Sequence, residues 1–416
     1  VVLLILAGVA LNLVIGENGI IAKAKEARNA YEQDAINTEK SFAKLYDELQ
    51  ANLGEFPSTE YTKPYLPTGF SKVTGTSLST GLVIQDSAGN EYVWVVVPKT
   101  LYANTSYNSN GAKKPKSSED YSNIEYCLQQ YTNVYRNGTS FSDTYYADTA
   151  NEGWFADEAA YNTAKNKMLK SVYENGGFYV GRYEAGSESE RTENTATSPT
   201  PVVKRDKYVY NYVNYSEANS LCESMYSALD SVNAKLPNES DVEAMSNFIP
   251  QYDKINVIQK GNFYESSFSV TRGKYAVIGT DTQAPYSPIN EESTELYNEV
   301  ESVYNKQVNT QVIFTTGASS RNKVKNVFDI YGNVMEFGNN RKTNQDYLIG
   351  GSFVRNWWYF GGMTFVDDII SNNTYKALTE GRMQTTKNSY NKMIDKKLIY
   401  SGFRPVLYIN ESAYNF

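Results

Sequence analysis

The sequence runs to 416 residues, room for a helical module plus one large or two moderate globular units, and its 41% hydrophobic and 21% charged content is that of a folded chain. A net charge of −8 without a long basic run excludes a nucleic-acid footprint and argues against attraction to anionic lipid. Histidine is absent, which removes Ser-His-Asp and Cys-His nucleophile systems, His-ligated metals and the usual general base near neutral pH.

The first fifteen residues, Val1 to Ile15, are apolar except for Asn12. As a helix they would span about 22 Å, short of the roughly 30 Å hydrocarbon core of a bilayer. The stretch has no basic flank and no Ala-x-Ala site, so it does not read as a secretory signal peptide. It reads either as a shortened membrane segment or as surface buried against protein. Gly16-Glu-Asn-Gly19 then predicts a break, because each glycine costs about 1 kcal/mol inside a helix. From Ile20, apolar residues recur at steps of three and four (Ala24, Ala27, Tyr31, Ala35, Thr38, Phe42, Leu45, Leu49), which predicts an amphipathic helix over 20–53. Gly54 and Pro57 end it.

Residues 55–80, rich in Pro, Gly, Ser and Thr, predict a linker, and a globular domain is expected over 81–416. Within it, 81–98 holds two β-rich runs around Asp86-Ser-Ala-Gly-Asn90, a hairpin signal. The Asn-, Ser- and Tyr-dense stretch near 101–150 predicts an insertion loop. A helix is expected over 157–173, a strand over Gly177–Glu184, a helix from Ser216 to Met225 with Ser216 as its N-cap, and another from Asp241 to Phe248. The 36 tyrosines fit either wet packing surfaces and subunit contacts or the codon habit of an AT-rich genome. Cys127 and Cys222 are too few for a disulfide scaffold or thiolate cluster; they read as two isolated buried thiols or one disulfide.

The first fifty residues resemble the type IV pilin N-terminal helix, in which an apolar half packs in a filament core and an amphipathic half carries a head domain. Val1 to Ala10 match the later part of the apolar half, and Gly16 to Ala24 match the junction of Gram-positive pilin-like proteins. The family's usual start is not in this chain, which implies residues ahead of Val1 or a different processing. The resemblance implies assembly through Leu3, Leu6, Val9 and Leu13, with Gly16 and Gly19 at the bend.

From about residue 81 onward the chain resembles the formylglycine-generating-enzyme-like (sulfatase-modifying factor) domain, a variant of the C-type lectin fold. The motifs that carry this are Gly177-Phe-Tyr-Val-Gly-Arg-Tyr-Glu184, Val213-Asn-Tyr-Ser-Glu-Ala218, Lys235-Leu-Pro-Asn-Glu-Ser-Asp-Val-Glu243, Val327-Phe-Asp-Ile-Tyr-Gly-Asn-Val-Met-Glu-Phe337, Gly350-Gly-Ser-Phe353 and Gly402-Phe-Arg-Pro-Val406. The resemblance implies an α+β fold: a long pilin-like helix followed by a large, loop-rich lectin-type domain. It does not imply catalysis. The family's oxidases place two copper-binding cysteines shortly after Gly-Gly-Ser, and here Val354 to Met363 contain none. Cys222 falls where the family has a helical core cysteine.

Arg355, Trp357, Trp358 and Tyr359 sit where relatives build a ligand face, so they read either as sugar- or protein-contacting residues or as core packing. Asn333 and Glu336 lie where some relatives hold structural calcium, although two oxygen ligands alone do not make a site. Asp367 and Asp368 read as a solvated turn. The expectation is therefore a non-enzymatic subunit of an extracellular filament on a bacterial, Gram-positive-like surface. Its partners would be copies of itself, with a membrane only before assembly and no nucleic acid. The rival is a minor pilin or anchored adhesin that binds a glycan or protein.

Overall fold

The computed structural model describes residues 64–103, 112–135, 158–192, 198–238, 261–279, 297–338, 347–349 and 399–410, with isolated positions between them. The chain divides into two units, Val1–Ser58 and Thr59–Phe416, and every described residue lies in the second. The expected N-terminal helix, its break and its assembly residues Leu3, Leu6, Val9, Leu13, Gly16 and Gly19 therefore lie outside the described residues.

The second unit mixes helix and sheet. Strand β1 (Phe70–Lys72) falls inside the stretch expected to be a linker. β2 (Val83–Asp86) and β3 (Glu91–Val96) form the expected hairpin. Its turn is locked by Asp86, whose carboxylate accepts from the backbone N–H and the side-chain amide of Asn90, both at 2.8 Å. Helix α1 (Tyr121–Tyr135) corrects the insertion-loop expectation for part of 101–150. Ile124, Cys127, Leu128 and Tyr131 recur at i, i+3, i+4 and i+7 and are buried, so one side of this polar segment faces the core. α2 (Glu158–Asn175) and β4 (Gly177–Gly181) match their expected positions closely. Lys165 on α2 bonds Glu125 on α1 at 2.9 Å.

A short ribbon of β5 (Gly186–Ser187) and β6 (Tyr208–Val209) leads to α3 (Tyr215–Ser224). Its N-cap is Asn214 rather than Ser216. Asn214 accepts from the Glu217 N–H at 2.9 Å, and the Glu217 carboxylate accepts from the Asn214 N–H at 3.2 Å. That reciprocal pair needs an acid or amide with a carbonyl oxygen three residues past the cap in the right geometry, and Asn214–Glu217 supplies it. β7 (Val232–Lys235) follows, and Asp241, Ala244, Met245 and Phe248 are helical, as expected of 241–248.

Beyond Gly261, β8 (Phe268–Val270) pairs with β11 (Tyr304–Lys306), while β9 (Lys274–Gly279) lies between β10 (Asn298–Glu299) and β12 (Gln311–Phe314). β13 (Lys323–Val324) and β14 (Val327–Phe328) make a tight ribbon. β15 (Met335–Gly338) lies between β16 (Tyr347–Ile349) and β17 (Ser401–Phe403), and β18 (Val406–Ile409) closes the described chain.

The main sheet has the order β1-β2-β3-β4-β18-β7, all neighbours antiparallel. Its central strands are apolar on both faces. Val93, Val95, Phe178, Val180 and Val406 pack with α1 and α2, whereas Tyr92, Trp94, Tyr179, Leu407 and Ile409 fill a second core on the opposite face. A strand buried on both sides loses the apolar/polar alternation of a half-exposed one. Thr59–Phe416 is therefore an α+β unit built around that sheet.

Candidate functional site

Three of the motif segments meet at one buried point. Between β17 and β18 the chain leaves one sheet for another, and Arg404 stands at that step. Its guanidinium is 1% exposed. Nε donates to both oxygens of Glu336 at 2.9 and 3.1 Å, and Nη2 donates to Glu336 Oε1 at 2.6 Å. Nη1 donates to the carbonyl of Gly181 at the end of β4, and Nη2 also to that of Asp329. One side chain thus ties the main sheet to the β15–β16–β17 sheet.

Two further carboxylates complete the cluster. Glu184, fully buried, accepts from Asn333 Nδ2 at 2.7 Å and from the Val334 N–H at 3.2 Å. Asp329 accepts from the Gly317 N–H at 2.7 Å. Asn333 adopts left-handed backbone geometry, φ 60°, tolerated better by Asn than by most residues. Its Oδ1 accepts from Asn262 Nδ2 and from the Phe314 N–H. Next to it, a Cβ on Gly332 would meet the Asn262 backbone at 2.4 Å, so only glycine fits there.

Burial pushes Glu184 well above the usual carboxylate range, with Asp329 and Glu336 adding repulsion. Burial also raises Glu336 and Asp329, against the pull of Arg404 on both and of the Gly317 N–H on Asp329. Burial lowers Arg404, but its carboxylate neighbours, Glu336 foremost, more than offset that. A carboxyl raised in the folded state binds its proton more tightly there than in the unfolded chain. Its stabilisation is full below the ordinary carboxylate range and is lost as pH rises through the folded value. Glu184→Gln is therefore expected to flatten the decline in melting temperature as pH rises above the ordinary carboxylate range, relative to the parent. Parallel melting curves for the two proteins would contradict this.

The side-chain oxygens of Asn333 and Glu336 already have donors within the fold. The Glu336 oxygens are held by Arg404, and the Asn333 oxygen by two N–H donors. Among the described residues no group of three or more Asp, Glu or Cys side chains could hold a metal ion.

The thiols are separate. Cys127 on α1 and Cys222 on α3 are free and buried in different cores, which settles the choice against a disulfide. Burial, then Asp120, pushes the Cys127 thiol up to about 11, and burial, then Glu223, raises Cys222 well above its ordinary value. Such thiols are poor nucleophiles. Both are expected to resist a thiol reagent at about pH 8 and to react together once the protein is unfolded in denaturant. Rapid labelling of the native chain would overturn this.

Lys306 is the one strongly lowered amine among the described residues: burial, then Arg321, brings it to about 7. Its Nζ donates to the carbonyls of Phe263 and Ser266, both at 2.7 Å, and the residue is 1% exposed, so it staples a turn rather than facing a substrate. In the Leu236-Pro-Asn-Glu-Ser-Asp241 segment, Asp241 accepts from Tyr408 of β18 at 2.6 Å, and Asn238 donates to the same hydroxyl at 2.8 Å.

Glu184, Asn333 and Glu336 were visible as motif residues in the sequence. The joining role of Arg404 was not, because its partners lie 68 and 223 positions away in the chain. The sequence-predicted ligand residues Arg355, Trp357, Trp358 and Tyr359, with Asp367 and Asp368, lie outside the described residues. Among the described residues no helix is long and apolar enough to cross a membrane. Neither family models, nor curated proteins, nor solved structures match the chain.

Proposed function

We propose that this protein is a structural subunit of an extracellular pilin-like filament, polymerising through its N-terminal segment and displaying a non-catalytic head of the formylglycine-generating-enzyme-like, lectin-type class. One observation carries the head assignment: Glu184, Asn333, Glu336 and Arg404, from motifs far apart in the chain, converge on a single buried cluster. Chance matches to a motif set have no reason to meet in space. The reading as a display domain is supported by where the reactive side chains go. The buried acids bond arginine or amides, the thiols are enclosed, and Lys306 holds backbone carbonyls. Polymerisation rests on the sequence, where Val1 to Ile15 offer an apolar surface and 20–53 an amphipathic continuation.

Electron microscopy of surface appendages sheared from cells that make this protein, with antibody raised against the head, tests the proposal. Labelling along the length of thin filaments is the expected result. Label confined to filament tips would favour the adhesin role, and label on the cell envelope without filaments would overturn assembly.

A further inference from the structure

We infer that the head carries a binding face for an acidic polysaccharide, centred on Arg205. Segments far apart in sequence bring cations together there. Arg182 follows β4, Arg205 and Lys207 lead into β6, and Arg272 and Lys274 precede and open β9. Most of these cations have a carboxylate. Arg182 bonds Glu91 at 3.0 Å, Lys207 bonds Glu188 at 2.5 Å, Lys274 bonds Glu299 at 2.9 Å, and Arg272 grips Asp206 through two nitrogens.

Arg205 differs. Its Nε donates to the Gly317 carbonyl at 2.8 Å, its guanidinium lies 4.9 Å from the centre of the Phe328 ring, and no carboxylate among the described residues bonds it. The Gly317 N–H is given to buried Asp329, so the loop that aims Arg205 is fixed to the ionic cluster beneath. Arg182 lies over the same Phe328 ring at 5.7 Å. Burial, then Arg272, lowers Arg205 below the usual arginine value, consistent with a half-buried charge among like charges.

The outcome is an oriented guanidinium with its two terminal nitrogens left for a ligand, the one cation of this group without a carboxylate bond among the described residues. Guanidinium pairs bidentately with planar or tetrahedral oxyanions, and fixing it beforehand removes part of the entropic cost. The shared ligand chemistry is the carboxylate or sulfate of an acidic sugar. A sugar chain is favoured over an acidic peptide because half-buried Tyr208 sits among the cations, taking a bond from Lys274 at 2.9 Å, so ring contact and charge contact are offered together. This face does not depend on the filament reading, since an unassembled subunit would bind equally.

The test uses the purified full chain, unassembled, on immobilised polygalacturonate, dextran sulfate, poly-glutamate and neutral dextran at low ionic strength. Binding is expected on at least one acidic polysaccharide and not on neutral dextran, and the tighter of the two identifies the oxyanion. Arg205→Gln is expected to weaken it about tenfold and Arg272→Gln about threefold. Lys72→Gln, which removes a charge from exposed β1, should leave it unchanged. Should Arg205→Gln melt early, the 47% exposed Arg272 decides the matter, because its replacement leaves the core untouched. Three results overturn the inference: parent-like binding by both arginine variants, equal affinity for poly-glutamate, or no retention on either acidic polysaccharide.

Discussion

Replacing Arg404 with Met is expected to destabilise the head by about 3–5 kcal/mol, a large share of the roughly 5–15 kcal/mol available to a whole domain. The loss comes from what remains rather than from what is removed. Glu336 would keep a buried carboxylate with no counter-charge, beside Glu184 and Asp329, and the carbonyls of Gly181 and Asp329 would lose their donor. An unsatisfied buried acceptor costs about 1–3 kcal/mol by itself. The same step holds β18 in the main sheet and β17 beside β15, so the strand crossing would loosen as well. The double variant Arg404→Met with Glu336→Leu should recover part of the loss, because an apolar pair of similar volume can replace a buried ion pair. Recovery stays partial while the two carbonyls lack donors. Urea midpoints at unchanged slope measure the coupling, which should exceed about 1 kcal/mol. A single variant within about 1 kcal/mol of the parent would mean that the guanidinium is not holding the two sheets together.

How far such features can be read in advance depends on how local their causes are. The β2–β3 hairpin was legible because Asp86, Gly89 and Asn90 lie in one turn between apolar runs. α2 was legible for the same reason. α1 was not, although Ile124, Cys127, Leu128 and Tyr131 carry the right spacing. Its other positions are mostly Asn, Gln, Ser, Thr and Tyr, and against that background four buried residues give a weak periodic signal. Ser216 and Asn214 are equally good caps by residue type, and the acid three residues on, Glu217, selects Asn214. The cluster around Arg404 depends on contacts that span more than half of the described unit. Residue types can nominate its members, but only the fold decides that Glu336 receives the guanidinium while Glu184 receives an amide. The Arg205 face lay hidden in Lys204-Arg205-Asp206-Lys207, which reads as an ordinary solvated charge run until Arg182 and Arg272 are placed beside it.

Filaments should be lost altogether when Leu3 and Leu6 are both changed to Asp. Burying a leucine side chain is worth roughly 1.5–3 kcal/mol, and an isolated carboxylate forced into the same apolar place costs several kcal/mol more unless it takes up a proton. In a polymer that penalty recurs at every subunit and at each of its contacts, so a change modest for one folded domain becomes decisive for growth. The Val1–Ile15 stretch has few other ways to compensate, since Asn12 is its one polar residue. The head belongs to the separate unit Thr59–Phe416, so its melting temperature and the Arg205-dependent polysaccharide binding should match the parent. Measuring both on the same preparation separates failed assembly from failed folding. A double variant that is made and folded yet gives filaments at parental yield would show that this apolar tip is not the assembly surface.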